Sequence, residues 1–161
     1  MKEICGMTLQ EVREMFKAWG EPEFRAGQIF AWIYKKGVVD FERMSNLPES
    51  LRERLAAECV VLAARRSARQ ESADGTVKLL LKLGDGKCVE AVAIPEEKRL
   101  TGCISSQVGC AFACRFCASG MRGFQRNLTA GEIVSDVLLL KQHFASQPLT
   151  HLVFMGTGEP M

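Results

Sequence analysis

Three of the seven cysteines are spaced as ligands within one short segment. The segment Cys110–Cys117 has the pattern CxxxCxxC, and Cys103 lies upstream of it. Three thiolates on one loop can bind three irons of a [4Fe–4S] cluster and leave the fourth iron open to a substrate or cofactor. Structural zinc with Cys103 as fourth ligand is the alternative, but only Cys114 and Cys117 have the CxxC spacing of a zinc ribbon. The spacing favours an iron–sulfur cluster.

A second candidate site is the glycine-rich segment Gly156-Thr157-Gly158-Glu159-Pro160. A glycine-rich turn at the end of a strand lets the backbone approach a ligand closely, although the segment by itself favours a plain turn. From pattern alone, Glu90 is an outward glutamate on an alternating strand and Cys103 is a strand thiol.

Composition and charge limit the class of protein. The chain has 161 residues, 47% of them hydrophobic and 25% charged, which is typical of a globular protein and excludes disorder as the main state. We find no apolar run long enough for a membrane helix and no secretory signal. An odd cysteine count without an export signal indicates a reducing compartment. We therefore expect a cytoplasmic protein that does not bind a membrane.

The net charge of +2 is too small to indicate nucleic acid by itself. The segment 98–131, however, carries five basic side chains and no acidic one. Such a segment can contact phosphate or can be a solvated basic loop.

The elements that must position these residues begin with helices. Thr8 and Glu11 form a capping box that predicts a helix to about Trp19. Apolar spacing predicts a second helix over 23–36, and Pro48 opens a third through about residue 58. We therefore expect a helical module over residues 1–59.

The pattern then changes to strands. Residues 60–73, 76–83 and 87–94 are predicted to form a three-stranded meander, with Asp74-Gly75 and Asp85-Gly86 as the turns. This predicted meander extension occupies residues 60–98.

The sequence predicts a βαβ unit over residues 99–161. It consists of a strand over 102–108, the cysteine loop, a helix that begins at the capping box of Thr129 and Glu132, and a strand over 151–155. Two parallel strands cannot bury both of their faces. The sequence therefore predicts an α/β fold in which this unit is the front part of a larger domain.

Several motifs together resemble one known family. The cysteine motif, with an aromatic residue before its last cysteine, is similar to the signature of radical S-adenosylmethionine (SAM) enzymes. The flanking segments resemble the dual-specificity RNA adenine-C2 methyltransferases (RlmN family), nearly throughout the chain from about residue 8. They are 24–34, 40–47, 103–110, 123–132 and 155–160.

The resemblance implies a fold and a set of cofactors. The fold would be an N-terminal helical RNA-binding module and a β meander, followed by the first strands of an incomplete (β/α) barrel with its site at the carboxyl ends of the strands. Cys110, Cys114 and Cys117 would bind a [4Fe–4S] cluster, and Gly158 and Glu159 would contact SAM.

The resemblance also implies catalytic roles and partners. The family methylates C2 of adenosine in 23S rRNA and tRNA through a methyl-cysteine intermediate, using electrons from a donor such as a flavodoxin-type reductant. Glu90 matches the proton acceptor. Cys103 matches the cysteine that releases the protein–RNA adduct through a transient disulfide.

Other residues near the cysteine loop are candidates for RNA contact. Arg122 and Arg126 are expected to meet phosphates. Phe112, Phe116 and Phe124 are candidates to stack a base, and Phe112 and Phe116 are equally candidates to shield the cluster.

The chain departs from the family in one respect. The methyl-carrying cysteine lies in the family's C-terminal part, and Cys5, Cys59 and Cys88 do not match it. We therefore expect this chain to be an N-terminal portion that cannot complete the reaction alone. A Cfr-type adenine-C8 methyltransferase and a non-catalytic, metal-stabilised RNA-binding module are the alternatives.

Overall fold

The computed structural model describes residues 1–112, 114–144 and 147–160, and for Arg122 the backbone alone. The chain divides into two compact units, residues 1–63 and residues 64–161. No helix among the described residues is long and apolar enough to cross a membrane.

The first unit is helical, as predicted. It contains α1 (Leu9–Ala18), α2 (Phe24–Phe30) and α3 (Glu49–Glu58). The predicted capping box of Thr8 and Glu11 is present, and Pro48 is the residue before α3. The second helix ends differently from the prediction, because its last turn is a π-helical segment over Ala31–Lys35.

A short parallel ribbon closes this unit. Strand β1 (Lys2–Glu3) pairs with β2 (Cys59–Val60), which follows α3 directly. The sequence predicts neither this ribbon nor a break after Val60, because two-residue strands leave no periodic signal.

The second unit is built on one five-stranded sheet. Its strands, in the order in which they pair, are β3 (Ala64–Glu71), β4 (Val77–Leu83), β5 (Cys88–Pro95), β6 (Leu100–Cys103) and β9 (His151–Val153). Pairing is antiparallel from β3 to β6 and parallel between β6 and β9. The boundary predicted at residue 98 thus lies between two paired strands of one sheet.

The single strand predicted over 102–108 is wrong. The chain leaves the sheet after Cys103 and forms β7 (Gln107–Val108), which pairs with β8 (Arg126–Asn127) in a separate ribbon. The cysteine loop lies between β7 and β8, so this ribbon joins the two ends of that loop.

Helix α4 (Ala130–His143) covers one face of the sheet. Its predicted capping box of Thr129 and Glu132 is present. The core between helix and sheet includes Leu79, Leu81, Ala91, Leu100 and Leu140. Strands β4 and β5 alternate between buried and more exposed side chains, so the polar residues lie on the opposite face.

Asp136 is an exception in this apolar layer. Its side chain is fully buried on α4, and neither carboxylate oxygen has a hydrogen-bond partner among the described residues. Burial raises the pKa of Asp136 to about 8; the backbone N–H of Ser105 lies near enough to oppose the shift without meeting the geometry of a hydrogen bond, and the charge of Glu132 adds to the shift. The carboxyl group is therefore protonated in the folded protein at neutral pH.

This carboxyl group should make stability depend on pH. Between about pH 4 and pH 8 the unfolded state ionises Asp136 while the folded state keeps the proton, so stability falls as pH rises. Asp136→Asn removes this effect. Its stability relative to wild type should rise by about 1.4 kcal/mol per pH unit between pH 5 and 7, measured by urea unfolding.

The exposed Asp74 provides the control, because the amide of Thr76 lowers the pKa of that carboxyl group instead of raising it. Asp74→Asn should therefore show no gain in relative stability as pH rises. A pH-independent difference between Asp136→Asn and wild type would contradict the buried, protonated state.

Candidate active site

The cysteine loop and the glycine-rich segment follow neighbouring strands. Cys103 pairs with Val153 at the end of β6 and β9, which are parallel. The Ile104 amide donates to the Val153 carbonyl at 2.9 Å, and the Gly156 amide donates back to the Ile104 carbonyl at 3.1 Å. Both segments therefore leave the sheet at the same edge, the edge that carries active sites in parallel α/β proteins.

Hydrogen bonds then fasten the glycine-rich segment to the residues before the cysteine loop. The amides of Ser106 and Gln107 donate to the Thr157 carbonyl at 2.9 and 3.1 Å. The Gln107 side-chain oxygen accepts from the Glu159 amide at 3.1 Å, and its amide group donates to Asn127 at 3.0 Å. The position of Glu159 is thus set by the segment that leads into the cysteine motif.

Ser105 links this edge to a third element. Its fully buried hydroxyl donates to the Glu90 carbonyl at 2.7 Å and accepts from the Thr157 amide at 3.0 Å. One side chain therefore joins β5, the segment after β6 and the glycine-rich segment. No sequence pattern singles out Ser105, because its burial depends on how these strands pair.

Two glycines are required for this close packing. Gly158 has φ +109°, and a Cβ atom there would lie 2.6 Å from the Gln107 Cβ and 2.7 Å from the Ser106 Oγ. A Cβ at Gly156 would lie 2.7 Å from the Ile104 carbonyl oxygen. Only glycine allows the segment to approach the strand connection this closely.

Glu90 and Cys103 lie on the same face of the sheet. Cys103 pairs with Val92, which is two residues from Glu90 and therefore points to the same side. This is the face opposite α4. A cleft of about 520 Å³ opens beside Glu90, and Gly109, Ser119 and Thr157 form part of its wall.

The three cysteines of the motif are available as ligands. All are free thiols; Cys110 and Cys117 are half-buried and Cys114 is exposed. The amides of Gly120 and Ser119 beside the sulfur lower the pKa of Cys117. Amide hydrogen bonds to sulfur stabilise the thiolate form that ligates iron, so this donor set fits an iron–sulfur cluster.

The described residues do not present a site for a single metal ion. No three Cys, His, Asp or Glu side chains among them converge as ligands of one ion. In a [4Fe–4S] cluster, Cys110, Cys114 and Cys117 would each bind a different iron.

Cys103 has a different environment from Cys117. It is half-buried, and burial raises the pKa of its thiol, although the Met155 amide opposes the shift. The thiolate expected for a resolving cysteine is therefore not favoured at rest, and Cys103 must lose its proton when it reacts.

Arg126 does not present a free charge to phosphate, contrary to the prediction. Its guanidinium group donates to both carboxylate oxygens of Glu132 at 2.8 Å, and also to Asp85 at 2.8 Å. Burial alone would raise the pKa of Glu132, but hydrogen bonds from Arg126 and the Thr129 amide outweigh it and lower the pKa. Arg126 thus anchors β8 to α4.

The structure describes three of the four other side chains predicted near the cysteine loop as candidates for RNA contact. Phe112, Phe116 and Phe124 are exposed, at 65%, 94% and 47% of their surface, so they are accessible to a base. The side chain of Arg122 lies outside the described part of the chain.

Loss of the Arg126 anchor should destabilise the second unit. Arg126→Ala leaves the 8%-exposed Glu132 side chain without its cation, and we expect unfolding to become easier by about 2–3 kcal/mol. Arg99→Ala, which breaks an exposed pair with Glu96, should cost less than about 1 kcal/mol. Equal losses in chemical denaturation would show that Arg126 is an ordinary surface charge.

The glycine-rich segment should not tolerate a side chain at position 158. Gly158→Ala combines an unfavourable φ with contacts below 3 Å, and should cost about 2 kcal/mol or more. Gly84→Ala is the control, because nothing lies within 4 Å of its Cβ position. Thermal and urea unfolding measure both variants; a Gly158→Ala protein as stable as Gly84→Ala would contradict this packing.

The chain is similar to known proteins over nearly its whole length. Residues 2–61, which nearly coincide with the first compact unit, match the family described as ribosomal RNA large subunit methyltransferase N-terminal domain. The chain is 46% identical over 159 residues to the dual-specificity RNA methyltransferase RlmN of Halorhodospira halophila, covering 99% of this chain and 44% of that protein.

The fold has a solved counterpart. The chain is similar to the crystal structure of a radical SAM methyltransferase from Sphaerobacter thermophilus, with a TM-score of 0.92 and 40% identity, over 99% of this chain and 48% of that one. The chain thus spans about half the length of both relatives. On these matches and on its fold, the chain is similar over nearly its whole length to about half of an RlmN methyltransferase and of a radical SAM methyltransferase.

Proposed function

We propose that the full-length protein methylates C2 of adenosine in 23S rRNA and tRNA through a methyl-cysteine intermediate. The relatives carry the names of RNA and radical SAM methyltransferases. The observation that carries the proposal is that the segment leading into the CxxxCxxC loop is hydrogen-bonded to the glycine-rich segment at one edge of the parallel strands. Both candidate reactive residues, Glu90 and Cys103, share the open face of the sheet beside that edge.

The cofactors follow from the two segments. Cys110, Cys114 and Cys117 would hold a [4Fe–4S] cluster, and Gly158 and Glu159 would contact SAM. When both are bound, they supply a 5′-deoxyadenosyl radical, with electrons from a flavodoxin-type donor. The protein's part is to orient the reactants and to exclude water.

Two side chains of this chain have chemical roles in the proposal. Glu90 accepts the proton from C2 of the adenine, which a positioned carboxylate can do as a general base. Cys103 forms a transient disulfide with the methyl-carrying cysteine as the C–S bond between that cysteine and the RNA-linked carbon breaks. The carbon keeps the electron pair of the broken bond and takes up a proton, which releases the methylated RNA. Since its thiol is protonated at rest, Cys103 reacts only once that proton has been removed.

The three segments predicted from the sequence have separate parts in the proposal. The helical residues 1–59 bind RNA, and residues 60–98 and 99–161 supply the β extension and the first barrel strands. The seven cysteines are all free thiols, which suits the cytoplasm as the place of action.

The test is anaerobic reconstitution of the full-length protein with iron and sulfide. We expect a reduced-cluster EPR signal that changes on addition of SAM, and 2-methyladenosine in digests of treated rRNA and tRNA. Cys117→Ala should lose iron and the signal. Cys88→Ala, which removes an exposed thiol outside the motif, should retain iron.

Each alternative has its own outcome. Methylation at C8 alone would replace the proposed reaction with the Cfr-type reaction. Stoichiometric zinc without SAM cleavage would replace it with a metal-stabilised RNA-binding module.

A further inference from the structure

Lys78 forms an ion pair with Glu90. The Lys78 Nζ lies 3.1 Å from the Glu90 Oε1, and the two side chains are 41% and 48% exposed. We propose that Lys78 is the residue that positions the Glu90 carboxylate for proton transfer. This inference rests on the proposed role of Glu90 and adds to it a residue that acts through that carboxylate.

The register of the sheet makes this contact possible. Leu80 pairs with Glu90 across β4 and β5, and Lys78 pairs with Val92. Lys78 is therefore a diagonal neighbour of Glu90 on the open face. A long side chain reaches a diagonal neighbour across an antiparallel pair.

Glu90 is thereby held at both ends. The Ser105 hydroxyl binds its backbone carbonyl at 2.7 Å and fixes it relative to Thr157 in the glycine-rich segment. Lys78 binds its carboxylate. Among the described residues, Lys78 is the one cation within ion-pair distance of this carboxylate.

A purely stabilising role does not explain the pair. Ion pairs as exposed as this one contribute little to stability, because water screens them and ordering two long side chains costs entropy. The ion pair still has a geometric effect, because the ammonium group restricts the positions that the carboxylate occupies. A general base loses efficiency when it is displaced from its proton.

Lys82 separates positioning from simple attraction of RNA. It lies on the same strand and the same face, but it pairs with Cys88, and among the described residues it is not within ion-pair distance of Glu90. If the face only needed positive charge for RNA, removing either lysine would weaken RNA binding similarly. If Lys78 positions Glu90, removing Lys78 lowers kcat and removing Lys82 does not.

The experiment compares Lys78→Met, Lys78→Arg, Lys82→Met and Glu90→Gln in the reconstituted full-length protein. We expect Lys78→Met to lower kcat for methyladenosine formation about tenfold, part of the 10²–10⁴-fold provided by a general base. The KM for RNA and the melting temperature should not change. Lys78→Arg should recover most of the activity, and Lys82→Met should keep the wild-type kcat.

A double variant shows whether Lys78 acts through Glu90. In the Glu90→Gln background, Lys78→Met should cause no further loss, because the carboxylate that it positions is already gone. Formation of 5′-deoxyadenosine from SAM should persist in Lys78→Met, so that its ratio to methylated product rises.

The outcomes that overturn the inference are distinct from those that overturn the function. A wild-type protein without methylated product overturns both. An active wild type with a fully active Lys78→Met variant overturns the role of Lys78 alone, as does an additive loss in the Glu90→Gln background. A raised KM for RNA shared by Lys78→Met and Lys82→Met makes Lys78 a phosphate contact instead.

Discussion

The buried hydroxyl of Ser105 is the interaction on which the geometry of the site depends. It donates to the Glu90 carbonyl and accepts from the Thr157 amide, so it acts as both donor and acceptor inside the protein. A buried hydroxyl without partners is costly, and this one is satisfied only when both neighbouring segments are in place. The strand that carries the candidate base and the segment proposed to contact SAM are therefore fixed to each other through one side chain. The absence of a side chain at Gly156 leaves the space for this arrangement.

The sheet assigns different tasks to its two faces. Leu79, Leu81 and Ala91 point toward α4 and bury apolar surface, which supplies most of the driving force for folding of this unit. The alternation of strand side chains then places Lys78 and Glu90 on the other face, where they are free to meet a ligand. A one-residue slip between β4 and β5 would exchange the two faces, so the register that forms the core also assembles the polar pair.

Local signals in the sequence were reliable where the chemistry is local. The capping boxes at Thr8 and Thr129 fix two helix starts, because both partners lie within one turn. The spacing from Cys110 to Cys117 is also a local pattern, and it predicts the ligands of an iron–sulfur cluster. Features that depend on pairing between distant segments could not be predicted. Thus the predicted strand over 102–108 gave way to the β7–β8 ribbon, where Gln107 pairs with Asn127 twenty residues away.

Two charged side chains show the same dependence on contacts between distant segments. Arg126 is basic and close to the cysteine loop, which from sequence indicates a phosphate contact. The folded chain brings Asp85 and Glu132 to it from both sides, and its charge is neutralised within the protein. Asp136 appears in sequence as a polar position in a helix; the fold buries it, so the carboxyl group stays neutral. A charge can be counted from sequence, but its availability depends on tertiary neighbours.

The thiols of this edge show how one fold keeps two cysteine chemistries apart. Cys117 lies where two backbone amides point at its sulfur, and these lower its pKa. Cys103 lies at the end of a sheet strand, where burial raises the pKa of its thiol. A metal ligand benefits from a thiolate at rest, whereas a resolving cysteine that is a thiolate at rest would react or oxidise prematurely. In the proposed function these environments suit the two roles: backbone amides favour ligation at Cys117, and burial holds Cys103 in its unreactive form until a partner sulfur reaches it.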